Sequence, residues 1–540
     1  MVKTALANSL WWLGSSPSAA AFDAALQNPA AAQRQILRQF LRDNADTALG
    51  REYRFSELRT YAEFARRVPP RDYDDLRPYI ERIGRGEKNV LTREPVRRLV
   101  PTSGSVAGRK LIPYTAALQA EINRAVTPWI NGLYRLRPHI ARGTWYWSIS
   151  AVGEDQPIDD SPSAIPIGFE DDAAYLGGWR QRAIDALLAV SGGVRHISSI
   201  AAWRYATALL LLRRADLAVM SIWHPSFLEL LLGAMRERWT DLVRDVADGS
   251  CAVLNDVPGS LANLLRADPS RPRAARLASA GPDDLRAIWP NLAILSCWGD
   301  GHATAAAAAL QKRFPGVLLQ SKGLLATEGV ISIPHAGKHP LAIRSHFLEF
   351  EAPDGRILLA ADLEQSQTYN VLLTTAGGLI RYRLHDLVEV NGRVGQTPSV
   401  RFLGKSGLVS DRRGEKLTDG FVAAVLARLF EQFPPAPSFA MLAPDEDSAG
   451  LRYSLYMNRE IPGGFDATLD ELLCENPQYA YCRRLGQLLP ACAVSIAGDA
   501  YERFSDRLRQ SGQRLGDIKP AALSKLDGWS GYFTQPGLGL

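Results

Sequence analysis

Cysteine is scarce in this chain. Five residues among 540 (Cys251, Cys297, Cys474, Cys482 and Cys492) include no pair at CxxC spacing. That argues against a disulfide scaffold or a cysteine-held zinc site and leaves reduced thiols in a cytoplasmic protein as the expectation. Surplus charge is small as well. The 62 Lys and Arg against 57 Asp and Glu leave a net +5, too thin over this length to mark a nucleic-acid partner. Long apolar runs are missing. The longest internal one, near Ala206 to Leu212, falls well short of the ~20 residues a membrane span needs. At the start, Leu10-Trp11-Trp12-Leu13 is apolar and Ser18 to Ala21 is small, but one lysine precedes them and Asn8, Ser9 and Gly14 break the run. A secretory signal is therefore not expected. No internal repeat is visible, and the only low-complexity tract is the alanines at 305–309, which fit a helix. The expectation is a monomer with no nucleic-acid partner and no stable membrane insertion.

What is present is the composition of a globular chain, 46% hydrophobic and 22% charged. A length of 540 residues exceeds one ordinary core, so two or more domains are expected. Residues 20–80 read as helices: Gln33, Ile36, Leu37, Phe40 and Leu41 repeat at helical spacing, as do Tyr61, Phe64, Ala65 and Val68 before Pro69-Pro70. A strand candidate at Val96 to Val100 leads through a Ser/Gly loop into a helix starting near Tyr114-Thr115, and the pattern to about residue 240 is mainly helical. Asn291 to Cys297 and Gly316 to Gln320 are short apolar runs that read as strands. From about 345 strands dominate: His346 to Glu351, Arg356 to Ala360, Asn370 to Thr374, Leu379 to Arg383, and Leu387 to Val390. Alternating strand-like and helical runs argue an α/β class.

Five loops carry residues suited to chemistry. Pro101 to Lys110 offers Thr102, Ser103, Gly104, Ser105, Gly108, Arg109 and Lys110, whose free backbone N–H groups and positive charge suit a phosphate. It is not a Walker A loop, because three residues separate its glycines and Leu111 follows Lys110. By itself a Ser/Gly loop is also an ordinary connection. Thr327-Glu328-Gly329 sets a carboxylate beside a hydroxyl, which suits Mg²⁺ on a nucleotide, or simply a helix cap. Thr374 to Asp386 ends in an aspartate able to accept from ribose hydroxyls, or to start a turn; His385 reads as a satisfied surface histidine. Gly404-Lys405-Ser406-Gly407 makes a hinge or a plain linker. Last, Lys519 stands in Gly516-Asp517-Ile518-Lys519-Pro520, a catalytic or merely solvated lysine.

The order of these loops resembles the acyl-adenylate-forming superfamily, and within it the Gretchen-Hagen family of auxin-responsive acyl acid–amido synthetases, in its bacterial form. The likeness runs nearly end to end, through Gln33 with Ile36, Leu37, Asn44 and Gly50; Val68-Pro69 with Tyr73-Asp74; Thr102 to Pro113; Trp147-Ser148-Ile149-Ser150; Ser221 to Phe227; Trp298 to Gly301; Ala326 to Gly329; Tyr382 to Val388; and Gly414 to Leu417. Two departures stand out: Val106 where the family usually has Thr or Ser, and His385 where it usually has Gly.

The resemblance implies a large N-terminal adenylate-forming domain over 1–405, built of β-sheets with packed helices and a β-barrel-like subdomain, and a smaller mobile α+β domain over 406–540. It implies ATP and Mg²⁺ as cofactors, with a small carboxylic acid and an amine, an amino acid, as partners. Thr102, Ser103, Gly104, Ser105 and Lys110 would cradle the phosphates. Thr327 would bind the α-phosphate, Glu328 the metal, Tyr382 the ribose–adenine region and Asp386 the ribose. Lys519 would reach the α-phosphate from the small domain. Trp147, Ser148, Ser150, Trp223 and Ser226 would line the acid pocket, or else pack as core around a loop. The implied activity is a ligase that forms an acyl-adenylate and then an amide. An acyl-CoA ligase sharing the first step, or a binding protein on the same fold, are the alternatives.

Overall fold

The computed structural model describes residues 2–102, 110–148, 165–166, 187–406, 409–510, 518 and 521–534. Its strands, in chain order, begin with β1 (Arg98–Pro101) and β2 (Leu111–Tyr114), an antiparallel pair. Next come β3 (Thr144–Trp147), β4 (Leu217–Ser221), β5 (Ile294–Cys297) and β6 (Leu318–Ser321), a parallel sheet in that spatial order. Successive residues of a strand point to opposite faces, and both faces here are apolar. Trp145, Val219 and Ile294 enter one core, while Tyr146, Met220 and Leu295 enter the other. Helices Ile200–Leu212, Pro225–Glu237 and Thr304–Arg313 lie among the connections that return the chain for each parallel strand.

Sequence periodicity misses β3 and β4 inside a stretch that reads as helical. Leu217–Ser221 is buried at all five positions, and a short continuous apolar run of that kind does not separate a buried strand from a buried helix.

The helix Val2–Ala25 covers the first core. Asn8, which breaks the apolar run there, is fully buried. Its side chain donates to Thr4 O (3.1 Å) and Gly143 O (3.0 Å) and accepts from the Tyr134 hydroxyl at 2.8 Å. Thus the break docks this helix on Ala116–Leu136. Gln33 behaves alike: its amide donates to Ile343 O and His346 O and accepts from Leu348 N, each at 2.8 Å. At Gly50 a Cβ would lie 2.0 Å from Asn44 O, so glycine is required by close approach. These three positions, of which Gln33 and Gly50 belong to the motifs, hold the frame together.

A five-stranded antiparallel sheet follows: β7 (Phe347–Glu351), β8 (Ile357–Leu359), β9 (Thr368–Thr374), β10 (Tyr382–Val394) and β11 (Thr397–Lys405), in spatial order β11-β10-β9-β7-β8. Strands at Leu379 to Arg383 and Leu387 to Val390 were expected to be separate. They are one strand from Tyr382, bent where the β9 pairing shifts register between Arg383 and Leu387. Leu379 and Ile380 lie outside it. A buried ion pair anchors the bend: Arg381 Nη2 lies 2.8 Å from Glu349 Oε1. Arg381 also donates to Ala65 O and Val68 O, and Tyr61 donates to Glu349.

Beyond β11 come the short pair β12 (Val409–Ser410) and β13 (Leu417–Thr418), then β14 (Ala440–Asp447), β15 (Gly450–Met457) and β16 (Cys492–Ser495) in one sheet. A bridge from Leu523 to Leu442 extends that sheet. Leu417, Val425, Leu429, Leu455 and Phe465 form its own core. Phe439, Tyr456, Phe504, Trp529 and Phe533 join the apolar cluster that also holds the helices of 200–314. Across this junction Tyr501 stacks on His224 (5.9 Å between centroids) and Arg204 pairs with Glu502 at 2.7 Å. The chain is α/β, with a large N-terminal part and a smaller C-terminal part.

Candidate active site

Two groups of side chains gather, one between the β10–β11 hairpin and a tight turn after β6, the other at the C-terminal edge of the parallel sheet. In the first, Ala326 and Gly329 exchange backbone hydrogen bonds (2.9 and 3.2 Å). That closes the turn carrying Thr327 and Glu328. Glu328 is buried, and burial pushes its carboxyl above the ordinary value; Lys405 and Lys110 pull the other way, and Asp386 adds to the rise. Asp386 faces Lys405 across the hairpin, and Lys405 Nζ lies 3.1 Å from Asp386 Oδ1. Asp386 raises the Lys405 ammonium above its usual range. Tyr382 is buried at the start of β10, and burial together with Glu328 raises its phenol.

His385 stands just before this aspartate at φ +60°, the left-handed region that favours glycine. Its Nε2 lies 2.8 Å from Asp72 Oδ1, so it is satisfied, as expected. A hydrogen-bonded histidine thus holds a conformation that glycine adopts without cost.

The loop before β2 is described only at its ends. Thr102 N–H donates to Lys110 O (3.0 Å). Lys110 Nζ sits 5.7 Å from the Tyr73 ring centroid. Ser103, Gly104, Ser105, Ser150 and Lys519 lie outside the described residues.

The second group contains Trp147, Ser148 and Trp223. Trp147, Ser221, Ser296 and Gln320 stand in register across β3, β4, β5 and β6. Trp223 packs on Trp298 at 5.4 Å. Ser226 stands apart from these: its hydroxyl meets His224 Nδ1 at 2.5 Å, at the start of helix Pro225–Glu237 and beside Tyr501. Lys322, which the sequence reading did not select, belongs to this second group and is 3% exposed. Two further positions it passed over support the first group. Glu121 Oε2 faces His346 Nδ1 at 2.9 Å and accepts from Ala376 N at 2.8 Å. A Cβ on Gly329 would fall 2.8 Å from His346 Nε2, so this buried dyad lies directly under the Thr327–Glu328 turn.

The fold as a whole matches solved structures of an amido synthetase and a CoA ligase. The AtGH3.15 acyl acid amido synthetase in complex with 2,4-DB matches with a TM-score of 0.83 at 17% identity, covering 96% of this chain and 95% of that one. A 2-hydroxyisobutyryl-CoA ligase in its postadenylation state matches at 0.52 and 14%, covering 93% and 91%. The fold is therefore that of an adenylate-forming ligase. The GH3 family N-terminal domain matches residues 18–319 and the GH3 family central domain residues 340–405, and the chain belongs to the GH3 family. Among its relatives are two Oryza sativa subsp. japonica proteins, each a probable indole-3-acetic acid-amido synthetase. GH3.2 is 23% identical over 436 residues (74% of this chain, 69% of the relative), and GH3.12 is 26% identical over 461 (72% and 71%).

Proposed function

We propose that this protein uses ATP to activate a carboxylic acid as its acyl-adenylate and then passes the acyl group to an amine, an amino acid, to form an amide. The observation that carries this reading is the family match across residues 18–319 and 340–405. The cluster of Glu328, Asp386, Lys405 and Lys110 fits it. In the first half-reaction a carboxylate oxygen attacks the α-phosphorus, the bond to the β-phosphate breaks and pyrophosphate leaves. In the second, the amine nitrogen attacks the acyl carbon and sheds a proton, and AMP leaves. Both reactants of the first step are anionic, so the protein must offset charge and hold the atoms in line.

Lys110, Thr102 and the loop between them are assigned to the phosphates, Thr327 to the α-phosphate, Asp386 to the ribose hydroxyls and Tyr382 to the ribose–adenine region. Mg²⁺, when bound on the nucleotide, offsets phosphate charge. One buried carboxylate, Glu328, on which the charge of Asp386 acts, would offer an oxygen to a hard cation whose other ligands are the nucleotide's own oxygens. Asp386 is now paired with Lys405, so ribose hydroxyls would share it with that lysine. Trp147, Ser148, Ser150, Trp223 and Ser226 are assigned to the acid pocket. Lys519, from a C-terminal domain that divides from the rest near residue 405 and turns about Lys405–Gly407, is assigned to the α-phosphate and carboxylate.

The test is pyrophosphate release from Mg-ATP across a panel of carboxylic acids, with amino acids, with coenzyme A, and with neither. Acid-dependent release with an amide product by mass spectrometry is expected. A thioester formed in preference to any amide would replace the second half-reaction, and no acid-dependent release would overturn the whole reading.

A further inference from the structure

Lys322 follows β6 directly, at the edge of a parallel sheet where α/β proteins admit their ligands. Its Nζ donates to Ser221 Oγ at 2.7 Å, beyond which Trp129 and Trp223 present their rings 4.7 and 5.3 Å from the nitrogen. An ammonium carries three donors and no acceptor. Among the described residues no carboxylate pairs with it. Burial lowers its pKa to about 7, and the Cys297 thiol acts against that shift. A hydroxyl beside Ser221 is also under-used. Ser296 Oγ, in register with Ser221, is buried with no hydrogen-bond partner among the described residues.

Packing alone does not account for such a residue. A methionine would fill the same volume between two indoles without desolvating an amine. The polar row is placed to meet oxygen, and the indole faces on either side suit an aromatic ring. The turn assigned to the α-phosphate has cations of its own, since Lys405 and Lys110 both act on Glu328. Lys322 is thereby left for another part of the acid.

We propose that Lys322, steadied by Ser221, selects aryl acids that carry a second oxygen acceptor, a hydroxyl or a second carboxylate, away from the carboxyl that is activated. This rests on the reading of the site as an acid pocket. It adds the class of acid that the pocket takes.

The experiment uses the full chain with phenylacetate and its 3- and 4-hydroxy and 3- and 4-carboxy derivatives. Two quantities are read: kcat/KM for pyrophosphate release, and the affinity of each acid for the ATP-free protein by calorimetry. The wild type should favour at least one oxygen-bearing acid over phenylacetate by about tenfold or more, the scale on which a buried polar site rejects an analogue that leaves it unpaired. In Lys322→Met that ratio should fall to about one. Lys322→Gln keeps an N–H donor without charge, so it should retain a hydroxyl preference and lose a carboxylate one; it also serves if the Met variant does not fold. The hydroxy and carboxy arms thus separate the two sources of the acceptor. A wild type that does not distinguish the acids, or a ratio unchanged in both variants, overturns the proposal. Binding preferences that follow Lys322 without any pyrophosphate release would instead sink the synthetase reading and leave this one standing; no binding of any acid would overturn both.

Discussion

Single side chains here are tuned by what surrounds them, and three of them make measurable claims. Glu328 is held above the ordinary carboxylate range by burial. Glu328→Gln keeps the shape and removes the charge, so ATP–pyrophosphate exchange should fall tens- to about a thousand-fold, the range for one electrostatic contact. Because the ionised form is the one that binds a cation, wild-type activity should be lost on acidification at a pH above the usual carboxylate titration, and that limb should vanish from the residual activity of the variant.

Lys322 reports through stability. Its folded pKa of about 7 lies below the unfolded value of 10.5. Between those limits the unfolded chain binds the extra proton, so this residue's contribution makes the fold more stable as pH rises from about 7 toward 10. Urea midpoints of wild type and Lys322→Met should therefore differ most in favour of the variant near pH 7 and converge near pH 10. A gap that does not change with pH would show that the lysine is not buried as a suppressed cation. His385, at φ +60°, gives a third measure. His385→Gly should stay within about 1 kcal/mol of wild type, trading the Asp72 hydrogen bond for relaxed backbone. His385→Val should lose about 1–2 kcal/mol more, since a β-branched residue is strained there. Equal stability of the two variants in urea would argue that the bend relaxes.

At the scale of elements, the turn carrying Thr327 and Glu328 is set by a helix far from it in sequence. Glu121, on helix Ala116–Leu136, holds His346 from one side and the Ala376 amide from the other. His346 in turn abuts Gly329. The side chain of Gly329→Ala would meet His346 Nε2 at 2.8 Å, and the imidazole is buried and unable to swing away. The turn must then shift. A displacement of about 1 Å at a reacting centre costs up to ~10²-fold in rate, so exchange should drop by about tenfold or more while the variant still unfolds cooperatively. A wild-type rate in Gly329→Ala would mean that the turn does not position Glu328. The β10–β11 hairpin works similarly: the register that sets Asp386 against Lys405 joins the residue assigned to ribose to the residue assigned to the pivot.

For the molecule as a whole, the question is whether the C-terminal part takes part in the chemistry. Its junction with the helices of 200–314 includes the stack of Tyr501 on His224 and the half-buried pair of Glu502 with Arg204. If Lys519 bridges α-phosphate and carboxylate, it stabilises charge mainly in the adenylating transition state. Lys519→Ala should then lose pyrophosphate release, yet still bind ATP and still convert a chemically supplied acyl-adenylate to amide. Two rates on the one variant decide it. Equal losses in both half-reactions would assign the lysine to structure, and Lys416 in the Gly414–Leu417 segment would be the next to test.

The ordered loops, the α/β class and the strands from β5 to β10 were legible in the chain, because glycines, hydroxyls and alternating apolar residues act within a few positions of one another. Family membership followed from that order. Tertiary structure decided what depends on distant partners. β3 and β4 become strands because neighbours pair with them and helices cover both faces, not because their short apolar runs prefer extension. His385 takes a glycine's conformation because Asp72 holds its ring. Lys322 looks like any lysine between Ser321 and Gly323. Only the approach of Ser221, Trp223 and Trp129, from about 100 to nearly 200 residues earlier in the chain, buries its amine and gives it a chemistry.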